Sequence, residues 1–410
     1  MPETPPPGAE PLDPVPAPRV LLAGGGTAGH VNPLLATAAA LRDPALGGRE
    51  ETGILVLGTA EGLEAGLVPE AGFDMAVVPR VPMPRRPTGD LFMLPRRLSR
   101  AVGAAAEAIE AVGAQVVVGF GGYVSTPAYL AARRAGVPVV IHEQNARPGL
   151  ANRLGASWAA AVALTFASTP LRSSKGRTEV TGLPLRPAIG ELVARLAEPD
   201  GAAAARRSGA AALGLDPRAP TVLITGGSLG AQRLNEVLAA ALPSLSPDLQ
   251  VLHLTGRDKD GPVRAAVEAA VADGADPGLA ERYHVLDYLV AMEQAYACAD
   301  GVICRSGAGT VAELTALGLP ALYVPLPIGN GEQRLNAADV VAAGGGRLVA
   351  DARLTAADVV DFTALLTRPA ERRAMAAAAA STGVRDGARR LADLIRTVAR
   401  EGSPSPRRKA

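Results

Sequence analysis

From Arg19 onward, short runs of β-branched and leucine residues alternate with alanine-rich stretches of helical period, and near residue 220 the same alternation starts afresh. A strand that feeds a helix and then another strand crosses over to a parallel neighbour, so this pattern predicts an α/β chain with parallel sheets covered on both faces. In the first series the candidate strands are RVLLA, GILVLG, AQVVVGF, PVVIHE and AVALTF, and in the second PTVLIT, LQVLHLTG, RYHVLDYL, DGVICRSG and PALYVPL. At 410 residues the chain exceeds what a single core serves, and the expectation is two doubly wound, Rossmann-like domains facing an interdomain cleft. The boundaries expected are a disordered Pro-rich tail at 1–17, a first domain at 18–185, a linker and Ala-rich insertion at 186–218, and a second domain at 219–380. Residues 381–402 carry Leu391, Leu394, Ile395 and Val398 at helical spacing and are expected to pack back on the first domain, ahead of a frayed tail at 403–410.

Composition removes several classes. A net charge of +1 gives no field for nucleic acid, so no nucleic-acid partner is expected. Cys298 and Cys304 stand without a nearby pair of histidines, which supports neither a disulfide framework nor a zinc ribbon. The N-terminus lacks a charged region followed by an apolar one, so export is not expected. Two uncharged stretches, Gly113–Ala132 and Leu314–Gly331, are interrupted by Gly, Pro and polar residues and read as buried strands with functional loops rather than spans. The segment Arg80–Arg100 mixes six arginines with Met, Leu and Phe, the composition of a reversible, peripheral contact with an anionic membrane surface; a solvated loop and helix face is the alternative.

The chemistry is expected at glycine-bordered turns. Gly24-Gly25-Gly26-Thr27-Ala28-Gly29-His30 joins the first strand to a helix, where unpaired amides and the helix dipole favour a diphosphate or a developing negative charge. A dinucleotide fold would also show this turn, but the second strand, GILVLG, is followed by Thr59 and Ala60 before Glu61, so no carboxylate closes it as a ribose ligand should. A second turn, Gly226-Gly227-Ser228-Leu229-Gly230, opens the second half, and a third, Arg305-Ser306-Gly307-Ala308-Gly309-Thr310, enters a helix carrying Glu313. Glu313 reads equally as an acceptor of ribose hydroxyls and as a first-turn carboxylate that complements the dipole. Asn330, Glu332, Gln333 and Asn336 lie on a broken loop whose polar groups suit sugar hydroxyls, with helix capping as the plainer reading. GFGGYVSTP and IHEQN follow strand ends, which makes Tyr123, Glu143 and Asn145 candidates, whereas His142 reads as a packed core histidine. The triplet Asp258-Lys259-Asp260 has no supporting cluster and reads as a solvated turn; no metal and no cofactor is expected.

Taken in order, GGTAGH, GFGGYVSTP, IHEQNARPGLANR, TGLPLRP, TGGSLGAQRLN, VICRSGAGTVAELTALGLPALYVPLP and EQRLNA resemble the MurG family, the family-28 glycosyltransferases, over roughly Arg19 to Arg400. The resemblance implies a GT-B fold and metal-independent, inverting transfer of N-acetylglucosamine from UDP-GlcNAc to lipid I, giving lipid II, at the cytoplasmic face of the membrane. Catalytic roles are expected for His30, Glu143 and Tyr123. The resemblance further implies substrate contacts at Thr27, Ala28, Gly29, Asn145, Arg186, Ser228, Leu289, Ala308, Gly309, Thr310, Val311, Ala312, Glu313, Gln333 and Asn336. Ala28 stands where many relatives carry Gly, and Glu332 where some carry Gln. His30, near a helix N-terminus that favours the neutral imidazole, is the expected base and Glu143 its rival. The wall-synthesis machinery is a candidate partner. The alternatives are a UDP-GlcNAc 2-epimerase, a transferase for another lipid or natural product, a sugar-nucleotide-binding subunit without activity, and, most remotely, an NAD-dependent oxidoreductase.

Overall fold

The computed structural model describes residues 17–81, 90–227, 231–328 and 330–402. Strands β1 (Arg19–Ala23), β2 (Gly53–Gly58), β3 (Asp74–Val77), β4 (Val116–Gly119), β5 (Val139–Glu143), β6 (Ala161–Leu164) and β7 (Arg177–Val180) form one parallel sheet in the order β3-β2-β1-β4-β5-β6-β7. A second parallel sheet, in the order β10-β9-β8-β11-β12-β13, contains β8 (Thr221–Thr225), β9 (Gln250–Leu254), β10 (Tyr283–Leu286), β11 (Gly301–Cys304), β12 (Ala321–Tyr323) and β13 (Gly346–Leu348). The central strands are continuous apolar runs because helices cover both of their faces. In β1, Val20 and Leu22 enter the core on one face, and Leu21 and Ala23 the core on the other, as the two-residue period of a strand requires. Strand order reverses beside β1 in the first sheet and beside β8 in the second, and the crevices at these switch points are where open α/β sheets take ligands.

Residues 186–218, expected as linker and insertion, carry helices Pro187–Leu196 and Gly201–Leu213, whose Ile189, Leu192, Ala205 and Ala210 are buried in the core of the second lobe. Small side chains make this possible: a Cβ on Gly209 would lie 2.6 Å from the Gln294 carbonyl and 2.9 Å from Cys298 Sγ, on the helix Met292–Cys298. Arg206 and Arg372 both pair with Asp300, at 2.8 and 3.2 Å, which ties this segment to the start of β11.

Helix Gly387–Gly402 lies against the first sheet, with Leu391, Leu394, Ile395 and Val398 each at most 4% exposed beside Val20, Leu22, Val116 and Val118. Burying each aliphatic side chain contributes about 1.5–3 kcal/mol, enough to hold the helix in place. The chain therefore passes between the lobes twice. The two passages touch, since a Cβ on Gly182 would meet Val384 Cβ at 2.4 Å and one on Gly387 would meet the Leu183 carbonyl at 2.5 Å. Among the described residues no helix is long and apolar enough to cross a membrane.

Candidate active site between the two lobes

The turn after β1 is built around Glu64, three residues beyond Glu61. Glu64, fully buried on the short helix after β2, accepts from the Gly26 amide at 2.9 Å, the Thr59 amide at 2.9 Å and the Thr59 hydroxyl at 2.8 Å. Burial pushes its carboxyl up, but the bonds from Gly26 and Thr59 outweigh it and leave the group below its ordinary value. Cβ atoms on Gly25, Gly58 and Gly62 would lie 2.4, 2.6 and 2.2 Å from Glu64 atoms, so these glycines make room for an internal carboxylate. One amide of the turn is thus already engaged. Thr27, Ala28 and Gly29 remain exposed at the start of helix Ala28–Arg42, where the first amides have no partner within the helix.

His30, half-buried in the first turn of that helix, has Nδ1 3.0 Å from Thr27 Oγ1. Burial lowers its pKa from 6.5, against the opposing pull of the Gly25 backbone and the Glu64 charge, so the imidazole is neutral at pH 7. Its Nε2 faces the turn after β4: a Cβ on Gly121 would lie 3.1 Å from Nε2 and 3.7 Å from Asn152 Nδ2. Ser125 Oγ fastens this turn to the first by donating to the Ala23 carbonyl at 3.1 Å and accepting from the Gly121 amide at 2.9 Å. The neighbouring Tyr123 is 40% exposed, with the Arg80 guanidinium 5.4 Å from its ring centre. At Gly122, φ is +80° and a Cβ would stand 2.6 Å from the Gly25 carbonyl. Gly122→Ala is therefore expected to cost about 2 kcal/mol or more and to push the two turns apart, lowering turnover. Urea unfolding and initial rates check this, and wild-type rates would show that the turns need not touch.

Glu143 ends β5 almost completely buried, taking the Asn145 amide on Oε1 at 3.0 Å and, on Oε2, the Gly149 amide at 3.0 Å and Asn152 Nδ2 at 2.9 Å. Burial raises its pKa, with these bonds opposing. Asn152 also accepts from the phenol of Tyr129 at 2.8 Å, so Glu143 organises the loop 143–152 through a buried network. His142 is fully buried, with Nε2 3.0 Å from the Gly182 carbonyl and its pKa lowered by burial to about 4, a core histidine.

That loop also meets the other lobe. Asn336, 1% exposed, accepts from the Ala146 amide at 2.8 Å and donates to Asn145 Oδ1 at 3.2 Å and to the Ser306 carbonyl at 3.3 Å. Ser168 donates to Asp339 at 3.0 Å, and Arg147 to the Asn330 carbonyl. Asn336 thus bridges the loop after β5 to the third glycine turn, with Asn145 Oδ1 as one of its partners. Within that turn, Ala308, Gly309 and Thr310 are partly exposed at the start of helix Ala308–Leu317, whereas the side chains of Val311 and Ala312 are buried. Arg186 and Glu313 form a two-pronged ion pair at 2.8 and 3.1 Å. Leu289 is half-buried between exposed Tyr288 and Val290, and Arg257 covers the Tyr288 ring at 4.6 Å. Gln333 accepts from the Leu326 amide at 2.9 Å, and Glu332 from the Asn330 amide at 3.2 Å. Asp260 of the acidic triplet pairs with Arg264 at 2.9 Å. Ser228 lies outside the described residues, as do the side chains of the basic segment from Pro82 to Phe92.

Two parallel Rossmann-like sheets on one chain, meeting where the loop after β5 bonds to Asn336, define the GT-B class of glycosyltransferase. The chain matches the glycosyltransferase family 28 N-terminal domain over residues 20–164 and the family 28 C-terminal domain over residues 221–391. It belongs to glycosyltransferase family 28. A relative from Bifidobacterium longum (strain DJO10A), named UDP-N-acetylglucosamine--N-acetylmuramyl-(pentapeptide) pyrophosphoryl-undecaprenol N-acetylglucosamine transferase, is 52% identical over 82% of this chain and 86% of its own. A relative of the same name from Clavibacter michiganensis subsp. michiganensis (strain NCPPB 382) is 50% identical over 95% of this chain and 99% of its own. The crystal structure of Acinetobacter baumannii MurG is similar with a TM-score of 0.71 at 28% identity, covering 93% of this chain and 99% of that one. A UDP-GlcNAc 2-epimerase from Neisseria meningitidis, at 15% identity, 93% and 100% coverage and a TM-score of 0.64, shares the fold alone.

Proposed function

We infer that this chain transfers N-acetylglucosamine from UDP-GlcNAc to the C4 hydroxyl of a lipid-pyrophosphoryl N-acetylmuramyl-pentapeptide, with inversion at the anomeric carbon. The observation that carries this reading is identity of about half, over 82% and 95% of the chain, to two transferases of that name, joined to two parallel Rossmann-like sheets whose lobes meet at Asn145 and Asn336. The acceptor oxygen attacks the anomeric carbon as the bond to the β-phosphate oxygen breaks, and that oxygen leaves with the electron pair. His30 takes the hydroxyl proton. With Nδ1–H donating to Thr27 Oγ1, its Nε2 lone pair faces the acceptor side at Gly121. Arg186 and the amides at the start of helix Ala308–Leu317 face the charge growing on the diphosphate. Glu313 accepts from the ribose, the backbone at Leu289 meets the uracil, and Gln333 lies toward the sugar.

The acceptor is lipid-linked, so the work takes place at a membrane surface. Arg80, exposed Met93 and the arginines of helix Asp90–Val112 are the face we assign to it, at the inner leaflet. Incubating the protein with labelled UDP-GlcNAc and a lipid I analogue should yield a labelled disaccharide lipid. Label appearing only as free sugar or as its 2-epimer would instead favour the epimerase reading.

A further inference from the structure

Glu313 is 7% exposed and bonded on both oxygens. Oε1 accepts from Arg186 Nε at 2.8 Å, while Oε2 accepts from Arg186 Nη2 at 3.1 Å and from the phenol of Tyr296 at 3.0 Å. A carboxylate has two in-plane lone pairs on each oxygen, so Oε2 is full and Oε1 has one place left. A ribose diol needs two. When Arg186 turns from the carboxylate to the leaving diphosphate, three places open, two on Oε1 and one on Oε2.

The carboxylate then depends on Tyr296 for its orientation. That phenol is 5% exposed in the second-lobe core, on helix Met292–Cys298, packed among Cys298, Val302 and Ala312. A ring held by such packing has few rotamers to explore, and its hydroxyl is a fixed donor rather than a mobile one. Burial, reinforced by the Glu313 charge, raises the phenol pKa well above 10, so the proton stays on the oxygen at working pH.

We propose that Tyr296 is a positioning residue for donor recognition: its hydroxyl keeps Glu313 set to accept the ribose 2′- and 3′-hydroxyls once Arg186 leaves the carboxylate for the diphosphate. The proposal rests on the reading of Glu313 as the ribose acceptor. Calorimetry with UDP and with 2′-deoxy-UDP, on the full chain, tests both and separates them. Wild type should prefer UDP by about 10-fold or more, the scale of a hydrogen bond to a charged acceptor. In Tyr296→Phe, which keeps the ring, 2′-deoxy-UDP affinity should hold while the preference falls about 3- to 10-fold. An unchanged preference in Tyr296→Phe, with collapse in Glu313→Gln, overturns the role of Tyr296 and leaves the ribose reading standing. An unchanged preference in Glu313→Gln overturns the ribose reading and the proposal with it. Should Tyr296→Phe lose the fold, 4-aminophenylalanine at position 296 keeps a weaker donor on the same ring and must give an intermediate preference; a wild-type value overturns the proposal.

Discussion

His30→Ala is expected to lower turnover at pH 7 by about 100- to 10,000-fold while leaving UDP affinity within a few-fold of wild type. The size follows from the loss of a positioned base. The split between turnover and affinity follows from geometry, since the imidazole faces the turn after β4 in the first lobe and the donor residues belong to the second. Because burial lowers the His30 pKa, the wild-type rate should fall with acid at a lower pH than an ordinary imidazole would give, as the ring gains its proton. Thr27→Val, which removes the Nδ1 partner, should lower turnover with little change in KM for the donor. Wild-type turnover in His30→Ala sinks the assignment and returns the task to Glu143.

Acid should weaken both lobes well before the carboxylates titrate. His142 in β5 has a pKa lowered to about 4 and His253 in β9 one lowered to about 3, both by burial, against an ordinary 6.5. A base whose folded pKa is depressed adds stability that is complete above 6.5 and is lost as pH falls toward the folded value, because the unfolded chain binds the proton first. From 6.5 to about 4 the loss is about 3 kcal/mol for His142, and from 6.5 to about 3 it is about 5 kcal/mol for His253. Each histidine adds a slope of about 1.4 kcal/mol per pH unit in its own lobe. Glu143, whose pKa is raised, works in the opposite direction in the first lobe, so the second lobe gives the cleaner signal. Urea unfolding between pH 7 and 4 should show this slope, and His253→Gln should remove one proton's worth of it. An unaltered slope in that variant would falsify the assignment.

The parts of the fold that sequence reveals are those whose environment is uniform. Strands β1, β4, β5, β6 and β8 are buried along nearly their whole length and stand out as apolar runs, whereas β3, β7 and β13 leave no such trace. All three are sheet edges, and an edge strand such as RTEV has one flank open and need not be apolar. The glycine turns are legible because a tight strand-to-helix passage demands small residues. What occupies the space they leave is not legible: Gly25, Gly58 and Gly62 make way for Glu64, which lies three residues beyond Glu61 at the end of the β2 turn. Asn145 and Asn336 are 191 residues apart, and nothing local announces that they bond to each other. Tyr296 is a single aromatic residue in a seven-residue helix, distinguished only by the carboxylate its hydroxyl meets.

The last helix has a consequence for how the molecule is made. Val20, Leu22, Val116 and Val118 belong to strands synthesised early, yet they share a core with Leu391, Leu394, Ile395 and Val398, which leave the ribosome only after the whole second lobe has been translated. During that interval part of the first sheet's apolar face is covered by helix Ala28–Arg42 alone, and the first lobe reaches its full core only when the closing segment arrives.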